Sequence, residues 1–494
     1  MTEKHIKQLC AELPFSKTDI MTDEVFDDTL VGMNTLWKKY GFAKIFGVLS
    51  EVWSYEKAVS FFKRYSLNEK ERREPLTIAC YSRKAYDGGV ERVNAELLKL
   101  WVGMGYKVVF FSVEGENEWD YPYPKSVKRI VVPGDYGVSR LEMLEKVCIE
   151  EDVGLFVNND WINRGFIWEC MLMKKLKIPY VLYCHGHFSW NYDTGKAALF
   201  QSEAFKLCDL VLALSETNAR FYQLSGCDSY LVENPVPESL KKNVIRTSNR
   251  SFHVLWIGRI SEEKYPMDAL KIFRLVHGKC HEAVLDIVGT GNTAIIEEMK
   301  NYINNNGLKD SVFFHGIQRV SEVESFYRSA TCVLFTSKME GYPMIVLESK
   351  AYGLPLVMYE MPFLSLTSDK LGVMTAPIGN ITIMANNLCS ILKDEELSNR
   401  LGEEALRSFR NLCEYDLKKT WEQIISISCE GSVPVEDPCY YAADKLSDAE
   451  RSILPILFEK LIRGYDNTFY GSRDYRVGHA LLKLPRSLIG LINQ

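Results

Sequence analysis

The sequence predicts an α/β protein of two parallel-sheet domains facing a cleft, with a helical N-terminal extension and an amphipathic C-terminal tail. Three observations predict it. At 494 residues the chain exceeds one ordinary core, so two or three domains are expected. From Leu76 onward, short β-branched or apolar runs alternate with amphipathic stretches, the pattern of a parallel sheet wrapped by helices. The polar, proline-bearing "VENPVPESLKKNVIRTSNRS", Val232 to Ser251, interrupts that alternation before it restarts, and reads as a linker.

Each element follows in order. Residues 1–74 mix apolar and charged side chains at helical spacing, as in "SYEKAVSFFKRYSLNEKERR", and read as an accessory helical extension without visible chemistry. Residues 75–233 form the first α/β domain. Its strands are "LTIACYS", "KVVFFSV", "KRIVV", "VGLFVNND", "YVLYCHG" and "LVLALS", with helices between them. Residues 252–412 form the second, with "FHVLWIG", "AVLDIVG", "SVFFHG", "TCVLFTS" and "LPLVMY". A helix over 413–430 crosses back, and 431–494 are a loop and a tail. Ligands of such sheets sit beyond the carboxyl ends of the strands, so two facing sheets make one shared interdomain cleft.

The composition is 47% hydrophobic and 25% charged, ordinary for a soluble globular protein, and the net charge of −6 gives no reason to expect nucleic-acid binding. The thirteen cysteines are scattered, with no CxxC pair and no metal-ligand spacing, which reads as buried reduced thiols. The N-terminus lacks a signal peptide's apolar region, and no apolar run reaches the ~18 residues of a spanning helix. A cytoplasmic protein, able to lie on a membrane surface, is expected.

Five segments at strand ends carry candidate chemistry. In "YSRKAYDGGVERV", Gly88 and Gly89 open a helix whose N–H groups suit a phosphate, or simply make a tight turn. In "YCHGHFSW", His185 and His187 lack further ligands for a metal, so a hydrogen-bonding histidine at the cleft floor or a structural one is expected. In "WIGRISEEK", Arg259 and Lys264 can offset the charge of a diphosphate and stabilise it as it leaves. "DIVGTGN" has two glycines of a dinucleotide fingerprint but not the third, and reads as a tight strand-to-helix turn on the cleft rim.

The fifth is "SKMEGYPMIVLESKAYGLPLV". Pro343 suits a first helical turn and Gly353 a helix stop. Glu340 precedes the helix and Glu348 lies more than a turn inside it, about 80° away around the axis, so the two are not a close acid/base pair. Free N–H groups near Gly341, Tyr342 and Met344 lie between them. The array suits a ligand with a central anion and hydroxyl groups at both ends, the form of a sugar–diphosphate–nucleoside.

With these segments in chain order, residues 75–428 resemble the retaining glycosyltransferases of family 4, of the bacterial surface-polysaccharide type. "DGGVERV", "GRISEEK" and "EGYPMIVLE" carry the likeness. The resemblance implies a GT-B fold with two Rossmann-like domains. It implies transfer of a sugar from a nucleotide-diphosphate donor to a growing, lipid-linked glycan with retention of configuration. By resemblance, His185, Arg259, Lys264 and Glu340 are catalytic. Gly88, Gly89, Gly341, Tyr342, Met344, Ile345 and Glu348 bind the donor, with Glu348 on the ribose hydroxyls. No metal and no other cofactor is implied. Many members carry a second glycine or a phenylalanine where this chain has Gly341-Tyr342-Pro343, and Pro343 removes one N–H from that loop.

The tail Arg473–Gln494 has four Lys/Arg against one Asp, with leucines at helical spacing. It reads either as a peripheral contact with the inner membrane leaflet or as a helix packed back on the domains. Three other functions stand beside the leading one. They are a GT-B epimerase or hydrolase of nucleotide sugars, a non-catalytic partner in a glycosyltransferase complex, and a nicotinamide oxidoreductase.

Overall fold

A computed structural model of the chain describes residues 75–450, apart from 135–136, 161–165, 188–204, 243–250, 362, 432–436 and 448–449. The N-terminal extension and the tail Arg473–Gln494 lie outside the described residues.

The first domain holds β1 (Thr77–Tyr81), α1 (Gly89–Gly103), β2 (Lys107–Ser112), β3 (Lys128–Val131), α2 (Val138–Glu150), β4 (Val153–Asn158), α3 (Phe166–Lys175), β5 (Tyr180–Cys184), β6 (Leu210–Ala213), α4 (Glu216–Leu224) and β7 (Ser229–Leu231). After the short helix α5 (Glu238–Lys241), the second holds β8 (His253–Ile257), α6 (Pro266–His277), β9 (Val284–Val288), α7 (Thr293–Asn305), β10 (Val312–Gly316), α8 (Val320–Ser329), β11 (Cys332–Phe335), α9 (Met344–Ala351), β12 (Leu356–Tyr359), β13 (Val373–Ala376), α10 (Ile381–Lys393) and α11 (Glu395–Cys413). Then come α12 (Leu417–Ile425) and β14 (Tyr440–Tyr441).

The sheets run in the order β14-β7-β6-β5-β4-β1-β2-β3 and β10-β9-β8-β11-β12-β13. All pairings are parallel except β14 on β7. Strands such as β1, β5 and β6 are buried along their whole length, because helices cover both faces. The order reverses between β4 and β1 in one sheet and between β8 and β11 in the other. Crevices open at such reversals, and the five candidate segments follow β1, β5, β8, β9 and β11.

Two expectations change. The segment 431–450 is more than a loop: Tyr440–Tyr441 adds an antiparallel edge strand to the first sheet. Two residues are too few for a visible alternation, and specific bonds hold them. Leu231 donates its N–H to Cys439 at 2.8 Å, and Tyr440 its hydroxyl to Asp228 at 2.9 Å. The linker also begins as packed structure. Val232 and Asn234 are buried, and Tyr183 donates its hydroxyl to Asn234 at 2.8 Å.

Helix α12 crosses back onto the first domain, where Trp421 meets Trp101 of α1 edge-on at 4.8 Å. One apolar cluster joins Leu97, Trp101 and Tyr183 to Tyr342, Val346 and Trp421, so the seam between domains is part of the core. The twelve cysteines among the described residues are free thiols. No described helix is long and apolar enough to cross a membrane.

Candidate functional site

The site forms where the loop after β11 meets the loop after β5. Glu340 and Glu348 are both buried, 7% and 8% exposed, which a solvated helix face would not explain. Pro343 stands just before the helix, with Met344 as the first residue of α9. Its extended backbone delivers the chain from the Glu340 loop into the helix.

Glu340 accepts a charge-assisted hydrogen bond from Lys264, which ends the short turn Glu262–Lys264 after β8. That turn is anchored at its own backbone, since Thr336 donates its hydroxyl to the Lys264 carbonyl at 2.8 Å. Arg259 is separate from this pair. It is largely exposed and bonds Glu263 at 3.1 Å. The glycines of "GTGN" shape its loop. A Cβ on Gly289 would meet the Gly258 carbonyl oxygen at 2.1 Å, and one on Gly291 that of Ile260 at 2.1 Å. The two strand-end loops thus lie backbone on backbone, as a tight turn.

Gly341 brings the domains together. A Cβ there would meet the His185 carbonyl oxygen at 2.0 Å, so only glycine fits against the β5 loop. His185 stacks on Tyr183, rings 4.3 Å apart, and its Nε2 lies 3.3 Å from Asn159 Oδ1. Asn159 in turn donates its amide to Asn94 at 3.0 Å, which leaves Oδ1 as an acceptor. An imidazole with its proton on Nε2 donates to that oxygen. Burial holds the His185 pKa down to about 3, so the ring is neutral near pH 7. His187 packs on Phe363 at 4.5 Å, and burial lowers its pKa to about 4. Among the described residues, no group of three or more His, Cys, Asp or Glu is placed to hold a metal.

The two glycines at the start of α1 have different neighbours. A Cβ on Gly88 would meet Glu91 Oε2 at 2.0 Å, whereas one on Gly89 would meet Met344 Cγ of the other domain at 3.3 Å. The Glu91 carboxyl folds over the helix start, and burial pushes its pKa up. An anion at Gly88 would have to displace it. Tyr342 is buried beside Glu233, and Ile345 lies near Gly258.

Residues that sequence reasoning missed complete the arrangement. Arg92, from α1, donates to Oε1 of Glu348 across the cleft, and Tyr327 of α8 donates its hydroxyl to Oε2. Arg92 sits inside the quoted "DGGVERV", yet nothing in the sequence pairs it with a carboxylate 256 positions away. Asn94 and Asn159 carry no sequence signal at all. The structure therefore groups Lys264, Glu340, Gly341 and His185 at one point, and Glu348, Arg92, Gly89 and Met344 at another. Arg259 stands outside both.

Comparison with known proteins bears on the family and the fold. The family "Glycosyl transferases group 1" matches residues 238–408, and "Glycosyltransferase Family 4" matches residues 87–239. An uncharacterized glycosyltransferase of Haemophilus influenzae is 23% identical over 64% of this chain and 90% of its own length. The amylovoran biosynthesis glycosyltransferase AmsD of Erwinia amylovora is 22% identical over 55% of this chain and 77% of its own. Among solved structures, Anabaena HepE in complex with UDP and glucose superposes with a TM-score of 0.58 at 14% identity, over 72% of this chain and 100% of that one. The two matched segments meet at the linker and take in all of the second sheet and all of the first but β1 and β14. The chain belongs to family 4 of the glycosyltransferases and has the GT-B architecture.

Proposed function

We propose that the protein transfers a sugar from a nucleotide-diphosphate donor to a growing, lipid-linked glycan of a surface polysaccharide, with retention of configuration. The observation that carries this reading is the Lys264–Glu340 pair, its carboxylate buried, seated against the His185 loop, with Glu348 buried one turn inside the helix α9 that follows. A ligand spanning these points presents sugar hydroxyls to Glu340 and the backbone of Gly341 and Tyr342. Its diphosphate faces Lys264, with Arg259 swinging in from the surface, and its ribose faces Glu348. Met344, Ile345 and Gly89 wall this space. The reaction breaks the bond between the anomeric carbon and the phosphate oxygen, and the acceptor oxygen enters on the same face. Its proton passes to the leaving diphosphate.

Two cations near the diphosphate do the work a divalent ion would otherwise do, so the reaction is proposed to be metal-independent. Neutral His185, with Nε2 facing Asn159, leaves Nδ1 as an acceptor at the sugar rather than a charge. The UDP and glucose bound by Anabaena HepE support a donor of this class, and the amylovoran relative supports a polysaccharide product. The basic, apolar segment Arg473–Gln494 is our candidate contact with the inner leaflet of the membrane.

Turnover of UDP-, GDP-, ADP- and CMP-sugars with native membranes as acceptor, with and without EDTA, tests the reading. One donor is expected to be consumed only when acceptor is present, and EDTA to leave the rate unchanged. Lys264→Ala is expected to lower kcat/KM by about 10²-fold. Donor consumption without acceptor would favour a hydrolase or epimerase. Undiminished turnover by Lys264→Ala would remove the site assignment.

A further inference from the structure

Both oxygens of the Glu348 carboxylate are engaged. Arg92 of the first domain holds one oxygen, and Tyr327 of the second holds the other. Tyr327 is itself fixed by a parallel stack on Tyr352, centroids 4.9 Å apart, and is 1% exposed. The Arg92 and Glu348 side chains are only 12% and 11% exposed, so water screens the pair little. The two helices carrying this pair touch at their starts, where Gly89 faces Met344.

We propose that Arg92 is a positioning residue for the donor nucleotide and acts through Glu348. This rests on the reading of Glu348 as the ribose carboxylate. A carboxylate offers about four lone-pair directions. With one on each oxygen taken, the plane of the group is fixed, and one direction on each oxygen remains for a vicinal diol. The diol then meets an acceptor pair that is already oriented, so less rotamer freedom is lost on binding. Because Arg92 comes from the opposite domain, the ribose subsite is complete only when the domains approach. Donor affinity and closure of the cleft are thereby coupled through one ion pair.

The test is calorimetric titration of the full chain with whichever of UDP, GDP and ADP the wild type binds, alongside its 2′,3′-dideoxy form and inorganic pyrophosphate. Arg92→Ala is expected to raise Kd for the ribonucleotide about tenfold or more. It is expected to leave the dideoxy form and pyrophosphate unaffected. Arg92→Lys, which restores charge without the planar fork, and Tyr327→Phe, which removes only a hydroxyl, are expected to give smaller losses of the same kind. In a Glu348→Gln background, Arg92→Ala is expected to add nothing further. An equal loss for the ribonucleotide and dideoxy forms, or a loss for pyrophosphate, would mean that Arg92 touches the donor itself, and overturns the proposal. So would normal binding by Arg92→Ala where Glu348→Gln binds weakly. Normal ribonucleotide binding by Glu348→Gln would instead remove the ribose reading, and this proposal with it. Melting temperatures of all variants separate a folding defect, which would weaken every ligand alike.

Discussion

Gly341 shows how much one residue type decides at this site. Its backbone lies against the His185 carbonyl, and a Cβ would sit 2.0 Å from that oxygen. Both partners are backbone, so neither can swing aside, and an added methyl must push the Glu340 loop away from the first domain. Gly341→Ala is expected to lower kcat/KM by about 10²-fold. The stability cost of such overpacking is about 1–3 kcal/mol. Steady-state turnover together with a melting curve checks this, and an alanine variant within twofold of the wild type would refute it. At this scale the sequence was legible where chemistry follows spacing along one segment. Glu340, Gly341 and Glu348 could be read that way, as could Lys264 after its strand. It was opaque where the partner is remote. Arg92 is one of many arginines until the fold sets it on Glu348. The Gly88–Gly89 pair was readable as an anion cradle or as a tight turn, and only the fold shows the Glu91 carboxyl beside Gly88 and Met344 beside Gly89.

At the scale of elements, the alternation of strands and helices was readable because buried parallel strands are nearly continuous apolar runs. The two-residue β14 was not, since its place depends on bonds to Asp228, Tyr230 and Leu231 rather than on any period. Helix α9 carries Glu348 and must be held still. Its anchor is Lys350, fully buried, which donates to Asp369 at 3.2 Å and to the Ser408 hydroxyl. Burial pushes the Lys350 ammonium below its usual range, and Asp369 opposes that. The two partners differ in what they leave behind. Asp369→Ala strands a buried ammonium beside one hydroxyl. Lys350→Met leaves a carboxylate whose side chain is 33% exposed and can reach water. Asp369→Ala is expected to cost roughly 2–4 kcal/mol, and Lys350→Met distinctly less. Urea unfolding of the two variants decides it, and a larger cost for Lys350→Met would reverse the argument.

Across the whole molecule, the seam between domains is held by groups that no local pattern announces. Trp421 returns to Trp101, and Arg319 spans the rim to Glu118 at 3.6 Å and lies 5.0 Å from the Trp119 ring. The segment that looked like a plain linker carries Glu233 into this seam, where Ser365 donates its hydroxyl at 3.3 Å and Tyr342 lies alongside. Burial lifts the Glu233 pKa from its ordinary 4.5 to about 7, with the two hydroxyls working against that rise. Between those values the folded protein keeps a proton that the unfolded chain has released. The contribution to stability is therefore fully present below about pH 4.5 and is lost as pH rises through about 7. Its size is about 1–3 kcal/mol, the upper end being the full linkage value and the lower allowing for partial exposure. Glu233→Gln keeps an acceptor for the Ser365 hydroxyl and cannot ionise. The variant is expected to match the wild type near pH 5 and to melt higher at pH 8, with the gap opening between. Melting curves of both proteins from pH 5 to 8.5 measure that gap directly. A gap that closes with rising pH would mean that the Glu233 carboxylate is stabilised at the seam, and that its charge helps hold the two domains together.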